Sequence, residues 1–375
     1  MIKDESIFLK LFCAIMSNLA NRSVDDCDEV RFGKRNRTPA ALMKEWGLKV
    51  ANHFGFMRFP LERQTWILEH LDKLKVHASE WEAAARLFSD DESRKLLVSL
   101  LAYRILGYRQ ISLPLRADKR MQEYREKEAA LMVQANVGTL RMGAISWQIN
   151  RYDLRSAGYD GQIEAPGIVN TFLLEQYRFC RINSLGIGIR EGDIVVDGGG
   201  CMGDTALYAA CQAKEAGHVF CFEFDSDNLV WLKRNLDLNP GMESRIKVMP
   251  YALWDHSGEA VMVDGEGPSA RIMAGTGGRS VQSMAIDDLV TKGMADRIDF
   301  IKLDIEGAEL RALHGAEMVL RQYRPRLAIS VYHRENDMWE IPLWINSLGL
   351  GYRFYLDHFT THLEETVLFA FSDKQ

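Results

Sequence analysis

The first third of the chain reads as helix. Ser79 with Glu82, and Ser89 with Glu92, both fit the capping box, in which a hydroxyl and the carboxylate three residues on satisfy the orphaned N–H groups of a first turn. After the second box Leu96, Leu97, Leu100, Leu101 and Ile105 recur at three- and four-residue steps until Gly107 stops the helix. Ile67, Leu71 and Leu74 make one apolar stripe within residues 61–75, and residues 117–134 mix charges of both signs in the manner of a solvated helix face. Around Leu140 the period changes. Residues 146–149 and 152–154 are short and strand-like, followed by Gly158 and Gly161. From Ile194 onward, β-branched runs at 194–196, 218–223, 246–249, 300–303 and 327–331 each lead into a polar or helical stretch. That alternation predicts βαβ units on a parallel sheet. Residues 352–356 and 366–371 have only a loop between them, so they are expected to pair antiparallel. The Gly- and Ser-rich residues 263–279 read as a mobile loop. The expected division is an N-terminal helical region at 1–135, a strand-rich connector at 136–166 and an α/β domain at 167–375.

Composition narrows the classes. With 47% hydrophobic and 26% charged residues, the 375-residue chain is neither disordered nor collagen-like, and it is long enough for two or three folding units. Its net charge of −6 is the wrong sign for a protein that lives on nucleic acid or an anionic membrane. No stretch approaches the roughly 18 apolar residues of a membrane span. Asp4 and Glu5 precede the first apolar run and Lys10 interrupts it, so an amphipathic helix is expected there rather than a secretory leader. Cys13, Cys27, Cys180, Cys201, Cys211 and Cys221 form no C-x-x-C pair, and they read as reduced thiols of a cytoplasmic protein. The basic run at 31–37 lacks interleaved stacking aromatics and reads as a solvated loop; Trp46, Trp66 and Trp81 read as core.

The chemistry concentrates in two places. At residues 194–205 a buried strand runs into a glycine turn and then a helix beginning near Thr205. Gly198, Gly200 and Gly203 satisfy G-x-G-x-x-G, because a sharp turn that approaches a ligand leaves no room for Cβ atoms. Glu223, at the end of the next strand, is placed to accept from two ribose hydroxyls, a feature common to NAD and S-adenosylmethionine. Asp197, directly before the first glycine, would repel a pyrophosphate and suit the cationic amino and sulfonium groups of S-adenosylmethionine. The second place is residues 300–309, where a strand delivers Asp304 to its C-terminal end with Glu306 just beyond, the rim where open parallel sheets bind ligands. Glu309 is expected only to complement the following helix dipole.

Together these residues resemble the FkbM-type S-adenosylmethionine-dependent methyltransferases. The likeness runs through residues 195–200, 222–224, 283–289, 299–309, 330–333 and 365–368, and it covers about half the chain, from Gly167 to Phe371. Cys201 and Met202 sit where the glycine motif tolerates variation, and Phe224-Asp225 replaces the commoner proline after Glu223. The resemblance implies an α/β, Rossmann-like seven-stranded methyltransferase sheet with its last strand antiparallel. It places the methionine portion of the cofactor at the turn of Asp197, Gly198, Gly199, Gly200, Gly203 and Asp204, the ribose at Glu223, and the adenine near Ala252 and its neighbours, with Thr205, Phe224 and Asp304 as further expected cofactor contacts. It implies methylation of a hydroxyl on a sugar, glycan or natural product; nitrogen as the acceptor atom, and an NAD-dependent oxidoreductase, are the alternatives. His333, just past the strand at 327–331, is the candidate general base, with Asp304 and Glu306 the other candidate catalytic groups; His358 and His362 lie in the terminal loop. Asp304 with Glu306 or His333 could instead hold a divalent cation that acidifies the acceptor. The expected partners are a small-molecule or carbohydrate acceptor and a second copy of the chain docked through the N-terminal helices, without nucleic acid.

Overall fold

The structure is a computed structural model, and it describes residues 6–20, 61–107, 110, 111, 113, 120–142, 145–182, 186–265, 267, 271–273 and 279–373. The basic run at 31–37, Trp46 and Cys27 lie outside the described residues. Two compact units emerge, one within Met1–Lys119 and His358–Thr366, the other within Arg120–Asp357 and Val367–Gln375.

In the first unit, helices α1 (Ile7–Ala20), α2 (Leu61–Val76), α3 (Ala78–Leu87) and α4 (Asp91–Leu106) pack around α4 and α1. Ile7, Leu11 and Ile15 of α1 recur every four residues and are buried, as are Leu96, Leu97, Leu100, Leu101 and Ile105 of α4. Gly107 ends α4 at φ 78, its N–H donating to Tyr103 O at 2.7 Å. The caps differ from the sequence expectation. The N-cap of α4 is Asp90, one residue after Ser89, and its carboxylate accepts from Ser93 N at 2.7 Å. Ser79 falls inside α3, and Glu82 accepts instead from Ile7 N at 2.7 Å, joining α1 to α3. Trp81 is buried, but Trp66 is half exposed, its Nε1–H donating to Ile105 O and its ring lying against His70. It is therefore not a core residue.

The second unit opens with α5 (Arg120–Leu131) and an antiparallel sheet of β1 (Met132–Met142), β2 (Ile145–Asp153) and β3 (Gln162–Ala165). A mixed seven-stranded sheet follows, built from β4 (Ile194–Gly198), β5 (His218–Phe222), β6 (Ile246–Met249), β11 (Phe300–Leu303), β12 (Arg326–Ser330), β13 (Tyr352–His358) and β14 (Thr366–Ser372). Its order is β13-β14-β12-β11-β4-β5-β6. The pairs among β6, β5, β4, β11 and β12 are parallel, whereas β14 runs antiparallel to β12. Strands β11, β12 and β14 are buried along nearly their whole length, which explains their unbroken apolar runs. Helices α6 (Asp204–Ala213), α7 (Ser226–Asp237), α8 (Asp287–Thr291), α9 (Glu309–His314), α10 (Glu317–Tyr323) and α11 (Asp337–Ser347) supply the crossovers and flanks.

Residues 263–279 are not simply a loop. β8 (Ala260–Asp264) pairs with β9 (Arg271–Met273) and β10 (Arg279–Met284), and β10 pairs with β7 (Ala252–Leu253), because Val261 and Val263 alternate into a buried face. For the site, register matters most. Leu303 pairs with Gly198 and Gly198 with Phe222, so the residues just beyond them, Asp304, Gly199 and Glu223, emerge on one rim.

Candidate active site

The glycine turn is fixed from two sides. The N–H groups of Gly199 and Gly200 both donate to Phe222 O, at 3.0 and 2.9 Å, which hangs the turn on β5. Gly199 has φ 80, and a Cβ there would lie 1.9 Å from Asp304 O, so only glycine lets the turn cross the end of β11. Gly203, at φ 88, then opens α6.

Asp197 does not face a ligand as the sequence suggested. It is 1% exposed, with Oδ1 2.9 Å from Lys302 Nζ and Oδ2 accepting from Thr205 Oγ1 at 2.8 Å. Lys302 points from the middle of β11 beneath the turn, where its ammonium also donates to Gly198 O and Gly199 O at 2.9 and 2.8 Å. Burial disfavours that charge, but Asp197 and Asp304 more than compensate and keep it protonated. Asp197 and Lys302 thus form a buried pair that braces the turn. Asp204 accepts from Thr171 Oγ1 at 2.6 Å, and burial pushes its carboxyl up from the ordinary range.

Glu223 is 7% exposed and bends back on its own loop, accepting from Asp225 N at 2.7 Å and Asn228 Nδ2 at 3.1 Å. Burial outweighs those bonds and raises it to about 7. Phe224 follows, half-buried beneath the Arg279 guanidinium, whose ion pair with Asp225 closes the loop.

Around Asp304 the side chains converge. Tyr177 Oη donates to Oδ2 at 2.8 Å, Tyr332 Oη to Oδ1 at 3.0 Å, and His333 Nε2 lies 3.3 Å from Oδ1. Burial works against ionisation, but the charges of His333 and Lys302 and the two hydroxyls bring Asp304 below the ordinary carboxylate range. The far side of His333 is held by Glu309, whose Oε1 is 2.8 Å from Nδ1. Burial opposes a charge on the imidazole, yet Glu309, Asp304 and Glu306 raise it to about 10. Glu309 is not merely a helix-dipole partner: fully buried at the start of α9, it accepts from Ile305 N at 2.9 Å and clasps His333.

A pocket of about 520 Å3, counted out to its open mouth, gathers Gly199, Cys201, Glu223, Phe224, Asp304 and Glu306 from the glycine turn and the two strand ends. Leu253, rather than the fully buried Ala252 beside it, reaches its wall. Asp197, Gly198, Gly200, Gly203, Asp204, Thr205 and His333 stand behind the lining. Tyr251 and Leu253, the neighbours of Ala252, are in the wall, whereas the sequence did not single out Asn228 there or Tyr177, Tyr332 and Lys302 behind it. Lys302 alone carried a signal, a lysine in the middle of an otherwise apolar strand. His358 is buried and bonded to Thr366 Oγ1 at 2.9 Å, and burial lowers it to about 3.

Residues 184–354 match the methyltransferase FkbM domain family. None of the curated proteins matches the chain. Among solved structures, methyltransferase FkbM from Methylobacillus flagellatus is 20% identical, with a TM-score of 0.52 over 80% of this chain and 60% of that one. This chain therefore spans less than two thirds of that protein's length, and the likeness is one of fold. A S-adenosylmethionine-dependent methyltransferase from Aquifex aeolicus is 14% identical, covering 54% of this chain and 91% of its own, at a TM-score of 0.32. Fibrillarin from Aeropyrum pernix, solved with natively bound S-adenosylmethionine, is 11% identical, covering 64% and 100%, at a TM-score of 0.35.

Proposed function

Starting from a methyltransferase FkbM domain at residues 184–354, on the fold of S-adenosylmethionine-dependent methyltransferases, we propose that the chain methylates a hydroxyl group on a sugar, glycan or natural product. The observation that carries the choice of oxygen is the Asp304–His333–Glu306 cluster at the rim. An amine is nucleophilic as it stands, whereas a hydroxyl gains from groups that orient it and take its proton.

The residues fit S-adenosylmethionine, which when bound supplies an electrophilic methyl group on a sulfonium. The Gly199 cradle lets the main chain approach without a Cβ, and Gly198, Gly200, Gly203, Asp204 and Thr205 shape the turn for the methionine portion. Asp197 acts through Thr205 and Lys302 rather than by contact. Glu223, with Phe224 beside it, accepts from the ribose hydroxyls, and Leu253 next to Ala252 packs on the adenine. Asp304 lines the pocket and stays ionised, so it can accept a hydrogen bond from the acceptor hydroxyl and turn an oxygen lone pair toward the methyl carbon. Alignment at about 3–3.5 Å then supplies most of the acceleration. His333 is a proton acceptor only once the proton held between its carboxylate neighbours has been taken off Nε2.

We assign residues 167–375 to catalysis and 136–166 to a connector. Residues 1–135 serve a homodimer contact, and the free thiols among the described residues suit the cytoplasm. The test is calorimetric titration with S-adenosylhomocysteine and with NAD, then assay of S-adenosylhomocysteine release over matched panels of hydroxyl and amine acceptors. Binding of the sulfur nucleoside, with turnover on hydroxyls, is expected. Turnover on amines alone, or binding of NAD alone, refutes the reading.

A further inference from the structure

His333 is held in a way that its proposed catalytic role does not require. Its side chain is 8% exposed, and Nδ1 faces Glu309 Oε1 at 2.8 Å. That oxygen already accepts from Ile305 N, so it is an acceptor, and Nδ1 carries the shared hydrogen. With Nδ1–H held by Glu309, a cation that displaces the Nε2 proton finds that nitrogen's lone pair pointing toward the rim. Nε2 is buried and makes no hydrogen bond, although it lies 3.3 Å from Asp304 Oδ1 and 3.8 Å from Glu306 Oε2. Ligand atoms of Asp304, Glu309 and His333 all fall within 4.8 Å of one another. A buried imidazole nitrogen without a hydrogen-bond partner, aimed at two carboxylates and backed by a third on its other nitrogen, is the arrangement by which carboxylates orient metal-ligating histidines. Lys302 is committed to Asp197 and two main-chain carbonyls, so an entering cation would take the place of the His333 proton beside Asp304 and Glu306.

We propose that His333 Nε2, Asp304 and Glu306 bind a divalent cation of the manganese class, with Glu309 holding the imidazole from behind. One nitrogen with carboxylate oxygens suits Mn2+ rather than a thiolate-seeking metal. Binding of the ion needs only these residues. Its use, lowering the acidity barrier of an acceptor hydroxyl, rests on the methyl-transfer reading. Tyr177 and Tyr332 fix both oxygens of Asp304, so that ligand is set before the ion arrives.

The full chain is stripped with EDTA, dialysed free of chelator and titrated with Mn2+, free ion being read from its electron paramagnetic resonance signal. About one tight site per chain is expected. His333→Ala should weaken it at least tenfold and Glu309→Gln by roughly 10–100-fold, the usual effect of removing the group that orients a ligand. Spin-echo spectra of Mn2+ on the unaltered protein should carry the nitrogen modulation of a coordinated imidazole, a readout that does not depend on any variant folding. No stoichiometric binding, binding without that modulation, or binding unchanged in a folded His333→Ala protein overturns the proposal. Calorimetry with S-adenosylhomocysteine in EDTA runs alongside. If the nucleoside binds and Mn2+ does not, only this inference fails; if Mn2+ binds and the nucleoside does not, only the methyltransferase reading fails.

Discussion

Replacing Glu223 with glutamine should move stability and cofactor affinity in opposite directions. The carboxyl is nearly buried and is raised from 4.5 to about 7. Between those values the folded chain holds a proton that the unfolded chain has lost. Stability from this group is therefore complete below about pH 4.5 and drains away as pH rises through 7, amounting to about 3 kcal/mol by pH 8. Glutamine cannot ionise, so Glu223→Gln should be more stable than the parent at pH 8, by up to about 3 kcal/mol, and equal to it at pH 4.5. The local bonds can survive the change. Asp225 N still finds a carbonyl oxygen, and the new amide group faces Asn228, whose Oδ1 is a buried acceptor with no partner and can turn to receive it. Urea unfolding of both proteins at pH 5, 6, 7 and 8 gives the difference. Asp337, also raised to about 7 by burial, tilts both curves alike and cancels. In the same proteins S-adenosylhomocysteine affinity at pH 8 should fall roughly 10–100-fold, the loss of one charge-assisted hydrogen bond to a sugar hydroxyl. A variant less stable than the parent at pH 8, or a stability difference that does not change with pH, would refute the reasoning.

Lys302→Met strands the Asp197 carboxylate in the interior, and urea unfolding should record a loss of about 3–5 kcal/mol, much of it recovered in Asp197→Asn/Lys302→Met. Gly199→Ala sets a methyl group 1.9 Å from Asp304 O at a positive φ; its unfolding midpoint should drop, and calorimetry should find S-adenosylhomocysteine binding abolished. Asp90→Ala should destabilise the first unit by about 1 kcal/mol while Ser89→Ala stays within about 0.5 kcal/mol, the reverse of what the capping-box pattern alone predicts, as read by thermal melting monitored by circular dichroism.

The parallel sheet was legible because a strand buried on both faces must be apolar along its length, and β-branched runs separated by helical stretches admit few topologies. The antiparallel last strand followed from a connection too short for a crossover. What the sequence concealed was local competition. Ser89 and Asp90 are both good caps, and the choice between them lies in which one the packed face of α4 leaves outside the helix. Trp66 reads as core because it lies on a helical segment, but its neighbours Ile67 and Leu74 already fill the buried stripe of α2, and a ring one position away turns to solvent. Residues 263–279 looked like loop because their glycines hide short strands whose pairing is long-range.

The site was legible where one strand carries its own evidence, as with Asp304 and Glu223, and illegible where residues far apart in sequence must meet. Tyr177 lies 127 positions from the carboxylate it holds, and nothing in its neighbourhood marks it. The reading of Asp197 went wrong for a related reason. Its place at the end of β4 was right, but the charge that answers it comes from β11, through Lys302, so a carboxylate expected to select a cationic ligand instead anchors the glycine turn. Two acidic residues on adjacent strand ends therefore do different work. One is neutralised below the turn, while the other, braced by two tyrosines and open to the pocket, keeps its charge for whatever enters. Register explains the division: Lys302 pairs with Asp197 across the two strands, and Asp304 lies two residues further on, past the last pair, where the sheet ends and the rim begins.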